Sequence, residues 1–156
     1  MSSPSPSGRS GKKKADLGPA VEFMRLIWAL DHGLHVTSRK MFASMDLSGP
    51  ERLVIRMVGA APGILAGELA ATLHRHPSSL TAVLERLERR ELLARDPDPA
   101  DRRRQRLTLT ARGRKLDVPS PGTVEAAVTR VLARVSPAKV RAAREVLDLL
   151  SRELSS

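Results

Sequence analysis

Residues 77–110 read PSSLTAVLERLERRELLARDPDPADRRRQRLTLT, and the change of period inside this stretch decides the fold. In its first half Leu80, Val83, Leu84 and Leu87 recur at helical spacing. They share one face and leave Ser78, Ser79, Thr81, Ala82, Glu85, Arg86 and Arg89 on the other. Pro77 suits the first turn, where the N–H it lacks would have no helical partner. Beyond that the pattern is that of strands: 92–95 predicts a short strand, 96–103 a loop carrying Pro97 and Pro99, and 104–110 a second strand with Leu107 and Leu109 on one side.

Upstream, 66–73 predicts another short helix, separated from the first by a turn at 74–76. A helix-turn-helix followed by a hairpin is a winged helix, so the expected fold class is mainly α with one small hairpin wing. Ser48, Pro50 and Glu51 supply a cap, an early proline and a capping-box acid for a helix through Leu53, Val54, Met57 and Val58, closed by 59–63. Before it Val21, Met24, Ile27, Trp28, Leu34 and Met41 mark a long helix with Gly33 as a candidate bend. Thr110 is a candidate N-cap for a further helix, which Pro119, Ser120, Pro121 and Gly122 interrupt. Thr123 restarts a helix with Val124, Val128, Val131 and Val135, and Ser136-Pro137 opens the last, with Val140, Ala143, Leu147, Leu150 and Leu154 in one stripe.

These apolar stripes need a partner larger than a small winged helix offers, so the terminal helices are expected to pack on a second copy. Val128, Val131, Val135, Val140, Leu147 and Leu150 are the dimerisation residues. The chain then divides into a disordered basic tail (1–17), an N-terminal dimerisation helix (18–47), a winged helix-turn-helix (48–112) and C-terminal dimerisation helices (113–156).

Charge names the partner class. The 156 residues hold 27 Lys plus Arg against 17 Asp plus Glu, a net +10. Arg9, Lys12, Lys13 and Lys14 lie in the first fourteen residues, yet the rest of the chain is still basic. A polyanion is the favoured partner, and double-stranded DNA leads. Arg102, Arg103, Arg104 and Arg106 crowd into five positions beside Asp101, a concentration whose self-repulsion an anion would relieve. The expected DNA-facing set is Ser78, Ser79, Thr81, Ala82 and Arg86 in the major groove, where short side chains permit close approach, and Arg102, Arg103 and Arg104 in the minor groove. Asp101 is expected to support the wing by fixing a neighbouring arginine. Ser78, Ser79 and Thr81 have a competing role as caps of their own helix.

The chain resembles the MarR family (multiple-antibiotic-resistance regulators) over residues 20–154. The likeness is carried by Pro62-Gly63 with Glu68-Leu69-Ala70, by His76-Pro77-Ser78-Ser79-Leu80-Thr81, by Leu87-Glu88-Arg89-Arg90, and above all by Asp98-Pro99-Ala100-Asp101-Arg102-Arg103 followed by Leu109-Thr110 and Gly113. The resemblance implies a homodimeric regulator of transcription, most often a repressor, that binds pseudo-palindromic DNA and answers to a small-molecule effector. Five features depart from the pattern. Glu91 replaces a helix-ending Gly, Ala82 an Arg, Leu65 a Ser or Thr cap, and Arg52 an aromatic that helps line the effector pocket; residues 119–122 also break what is usually one long helix.

Other chemistries find little support. With no Cys, disulfides and thiolate sites are excluded, and a reducing, cytoplasmic location is expected. Apolar runs are too short for a membrane span. His32 with His35, and His74 with His76, would need convergent carboxylates to hold a metal; no metal and no cofactor are expected. Phe23 and Trp28 either wall an effector cavity or serve packing. No phosphate loop or nucleophile arrangement is visible, so no enzyme is expected. The alternatives to a regulator are a winged-helix interaction module, such as an antirepressor bound to an acidic partner, and a nonspecific architectural DNA binder.

Overall fold

The computed structural model describes residues 18–74 and 77–154; the basic tail (1–17) and the turn residues Arg75 and His76 lie outside the described residues. The first helix, α1, runs Gly18–Met45 and includes Gly33. The described residues fall into two units, divided between His32 and Gly33. The described part of the first unit is the leading half of α1, where Val21, Phe23, Met24, Leu26, Trp28 and Leu30 are exposed.

The second unit begins with the rest of α1, whose Met41 is buried. Helix α2 (Gly49–Ala60) starts as its sequence dictates. Ser48 N–H donates to Glu51 Oε2 at 2.8 Å while Ser48 Oγ accepts from Glu51 N–H, satisfying two orphan donors reciprocally. A two-residue strand, β1 (Ile64–Leu65), escaped the sequence reading because two residues cannot show alternation. Helix α3 (Ala66–Thr72) follows it directly. Leu65 supplies no side-chain cap, and only Glu68 reaches back, accepting the Leu65 N–H at 3.2 Å.

Helix α4 (Pro77–Arg89) and the wing strands β2 (Leu93–Pro97) and β3 (Gln105–Leu109) complete the winged helix. The sheet order is β1-β3-β2, antiparallel throughout. Strand β2 extends two residues past the expected end, with Pro97 opposite Gln105. An edge strand tolerates that proline because its missing N–H faces away from the ladder. The core joins Val54, Ile55 and Val58 of α2 with Leu69 of α3, Leu80, Leu84 and Leu87 of α4, and Leu92, Leu93, Leu107 and Leu109 of the wing.

Helix α5 (Ala111–Leu116) is capped by Thr110, whose Oγ1 accepts the Gly113 N–H at 3.0 Å and donates to Glu91 O at 2.6 Å. A Cβ on Gly113 would lie 1.9 Å from the Leu92 carbonyl oxygen, so only glycine allows α5 this close to the wing base. After the expected break come α6 (Val124–Leu132), capped by the buried Thr123, and α7 (Pro137–Glu153). No residue of α6 or α7 is fully buried.

Candidate nucleic-acid interface

Helix α4 presents two chemically distinct faces. Leu80, Leu84 and Leu87 are buried, while Ser78, Ser79, Thr81, Ala82, Glu85, Arg86 and Arg89 are exposed. Its end answers the Glu91 question. Glu91 adopts φ +55°, the left-handed conformation a glycine would prefer. The Leu92 N–H bonds Leu87 O at 2.9 Å and the Glu91 N–H bonds Glu88 O at 2.8 Å, with Leu87 and Leu92 both buried. This is a Schellman cap, formed without its usual residue. The chain therefore enters the wing in the ordinary way, and the substitution shows up as local backbone strain.

The wing loop is organised by two aspartates. Asp98, 3% exposed, accepts from Arg106 Nε at 3.0 Å and from the Ala100 N–H at 3.3 Å, while its own N–H bonds Arg104 O at 2.9 Å. Asp101 accepts Arg103 Nε at 3.1 Å, Arg103 Nη2 at 3.3 Å and the Arg103 N–H at 3.1 Å. Arg103's side-chain and backbone hydrogen bonds hold the Asp101 carboxyl below the usual aspartate pKa. Asp98 was not singled out from the sequence. The Asp-Pro-Asp-Pro run hinted at a turn, but not which acid would be buried.

The cations differ in freedom. Among the described residues Arg102 has no acidic partner. The Arg103 side chain is 91% exposed although paired to Asp101, and Arg104 stands 3.8 Å from Glu68. Arg104 and Glu68 face a cleft of about 500 Å³ at the root of the wing, also lined by Gly67, Arg103 and Gln105. On α4, Arg86 Nε lies 3.3 Å from Glu51 Oε1, which ties the α4 cation to the cap of α2.

Arg52 fills the position where an aromatic was expected to line an effector pocket. Only 3% exposed, it donates Nη1 to Leu116 O at 3.0 Å and Nη2 to Val118 O at 2.5 Å and Glu125 Oε2 at 3.0 Å. One turn on, Arg56 donates Nε to Glu125 Oε1 at 2.9 Å and Nη1 to both Asp117 O and the Asp117 carboxylate. Burial disfavours the Arg56 charge, but the bond to Asp117 and the charges of Glu125 and Asp117 outweigh it and raise its pKa. No local pattern in the sequence marks this cluster, whose partners lie 61 to 73 residues apart.

Val128, Val131 and Leu147 are exposed, and Val135, Val140 and Leu150 half-buried. His74 Nε2 lies 3.1 Å from Asp148 Oδ1 on α7. No group of three or more His, Asp or Glu positioned for a metal occurs among the described residues. Among them, too, no helix is long and apolar enough to cross a membrane.

A profile described as the MarR family matches residues 45–104. An HTH-type transcriptional repressor of Mycobacterium tuberculosis is 34% identical over 109 residues, which cover 70% of this chain and 78% of the relative. The transcriptional regulator HosA of Escherichia coli O111:H- is 36% identical over 80 residues, 51% of this chain and 59% of that protein. Two crystal structures share the fold. S. aureus MepR bound to DNA has a TM-score of 0.69 at 19% identity, covering 85% of this chain and 97% of MepR. PcaV of Streptomyces coelicolor, in complex with its natural ligand, has 0.69 at 22% identity, covering 89% and 98%. With an exposed polar helix face beside an arginine wing, and a repressor relative aligned over most of its length, the chain belongs to the MarR family of transcriptional regulators, which bind DNA and are not enzymes.

Proposed function

We propose that the chain is a homodimeric repressor that binds pseudo-palindromic duplex DNA, each subunit laying α4 in the major groove and its wing in the adjacent minor groove. The observation that carries this reading is the pairing of the exposed α4 face with Arg102 and Arg103 on a loop stiffened by Asp98 and Asp101. Ser78, Ser79, Thr81, Ala82 and Arg86 would meet base edges and phosphates. Arg102, Arg103 and Arg104 would enter the narrow groove, with Asp101 orienting Arg103. Repression is supported by the name of the mycobacterial relative.

Dimerisation is supported by apolar surface that a single chain leaves open: Val128 is 48%, Val131 59%, Leu147 52% and Leu149 66% exposed. Residues 18–47 and 113–156 are assigned to that contact and 48–112 to DNA, in the cytoplasm. A small-molecule effector remains part of the proposal, supported by PcaV, whose structure holds its natural ligand. Arg52 alters what such a molecule would meet, since its Nη groups are already committed to carbonyls and to Glu125.

Selection of bound duplexes from a random pool tests the proposal. A two-fold symmetric consensus is expected. Binding without selection would favour an architectural role, and no binding at moderate salt would favour a protein partner for the basic face.

A further inference from the structure

The break at 119–122 removes the rigid helical connection between the wing and the C-terminal helices. Pro119 and Pro121 donate no backbone hydrogen bond, and Gly122 takes φ +76°. Something else must fix the direction in which α6 departs. Arg52 and Arg56 meet both ends of the linker: Leu116, Asp117 and Val118 on one side, Glu125 in the first turn of α6 on the other. The two Glu125 oxygens are held by different arginines, which opposes both translation and rotation of that turn.

Two local sacrifices show that the arrangement is not one that simply maximises stability. Arg52 Nε is buried without a hydrogen-bond partner. Gly59, in the last turn of α2, leaves the space that Asp117 occupies; a Cβ there would lie 1.9 Å from Asp117 Oδ2. The cluster is electrically balanced, two guanidinium groups against two carboxylates, so it asks for no added ion. Its other end is anchored too. Helix α2 carries Glu51, which holds Arg86 of α4, so a continuous path runs from α6 through α2 to the helix that faces DNA.

We propose that Arg52, Arg56, Asp117 and Glu125 form a clasp that sets half-site spacing: by fixing the departure of α6, it fixes the separation of the two α4 helices in the dimer. This rests on the homodimer reading above. One base pair added between half-sites moves them about 3.4 Å apart and turns them by roughly 35°, a combined change that a rigid arm cannot follow and a loose one can. The four clasp side chains are thus positioning residues for DNA recognition and touch no base themselves.

The test places two copies of the half-site selected by the wild-type protein at the selected spacing and at spacings one and two base pairs shorter or longer. Wild-type affinity is expected to fall at least about tenfold for one base pair, and that ratio is expected to shrink to within about threefold in Glu125→Gln. Gly59→Ala is the second variant: its methyl displaces Asp117 while improving the helix propensity of α2. Loss of spacing selectivity in Gly59→Ala, at an unchanged or higher melting temperature and with the dimer intact by sedimentation, cannot be a stability effect. A folded, dimeric Glu125→Gln or Gly59→Ala protein that keeps the wild-type ratio overturns the proposal, as does a wild-type ratio near one. Loss of folding in both variants also overturns it, by making the cluster a folding element. If the wild-type protein selects no two-fold sequence at all, it is the homodimeric regulator reading that fails instead.

Discussion

Glu91 illustrates how much one backbone angle can carry. Its φ of +55° closes the Schellman cap that turns the chain from α4 into the wing, and for a residue with a Cβ that conformation costs about 1 kcal/mol. Its side chain recovers little, being 83% exposed and 3.9 Å from Arg112. Glu91→Gly is therefore expected to stabilise the protein by about 1 kcal/mol, less a few tenths for the added freedom of the unfolded chain. A urea midpoint that rises without a change in slope supports this; a fall shows that the strain is absent. The wing arginines divide on the same scale. Arg102→Ala and Arg103→Ala are each expected to weaken DNA binding by about 1 to 3 kcal/mol if they reach base edges. Arg103→Ala is expected to cost more, because it also leaves the Asp101 carboxylate uncompensated beside phosphates. Equal losses in a gel-shift titration contradict that ordering. The depressed Asp101 carboxyl makes its contribution to the wing at pH above the ordinary aspartate value, and loses it only as pH falls through the lowered one. DNA binding at neutral pH is thus expected to be insensitive to this group's titration.

The packing of elements depends on two close approaches, and one gives a direct test. Gly113→Ala improves the helix propensity of α5, yet its methyl meets the Leu92 carbonyl at 1.9 Å, a backbone atom that cannot swing aside. Overpacking of this kind costs on the order of 1 to 3 kcal/mol, so net destabilisation is expected in chemical denaturation; a stabilised variant shows that α5 does not sit on the wing base. This element-level detail marks the boundary of what the sequence discloses. Gly113 is conspicuous as part of the Leu-Thr-Gly pattern, but the atom that excludes a side chain there is 21 positions back in the chain. The α4 face and the arginine-rich wing are legible because period and charge are local properties of a few consecutive residues. Strand β1 is not, since its two residues become a strand only by pairing with Leu107 and Arg106. The pairing of Arg52 and Arg56 is not legible for the same reason: Arg52 stands out only as the replacement of an aromatic, and nothing local marks Arg56. Their burial is decided by Glu125 and the linker carbonyls, more than sixty positions away.

For the molecule as a whole, apolar exposure and net charge give one joint prediction. Val131 on α6 is 59% exposed in the single chain, so Val131→Asp removes little of the packing that the monomer possesses and is expected to leave its folding almost intact. In a dimer the same carboxylate would be buried against apolar partners at a cost of several kcal/mol, enough to dissociate the pair. DNA affinity then reports the subunit count independently. Each neutralised phosphate contributes about −0.9 to the slope of log K against log salt, so a dimer that contacts six to ten phosphates has a slope near −5 to −9 and loses about 10³ to 10⁵ in affinity between roughly 50 and 200 mM. A monomer keeps half the contacts and half the slope. Sedimentation and salt titration of Val131→Asp are expected to change together, with circular dichroism unaltered. A variant that remains dimeric removes α6 from the interface, and one that becomes monomeric at full slope shows that a single subunit makes all the phosphate contacts.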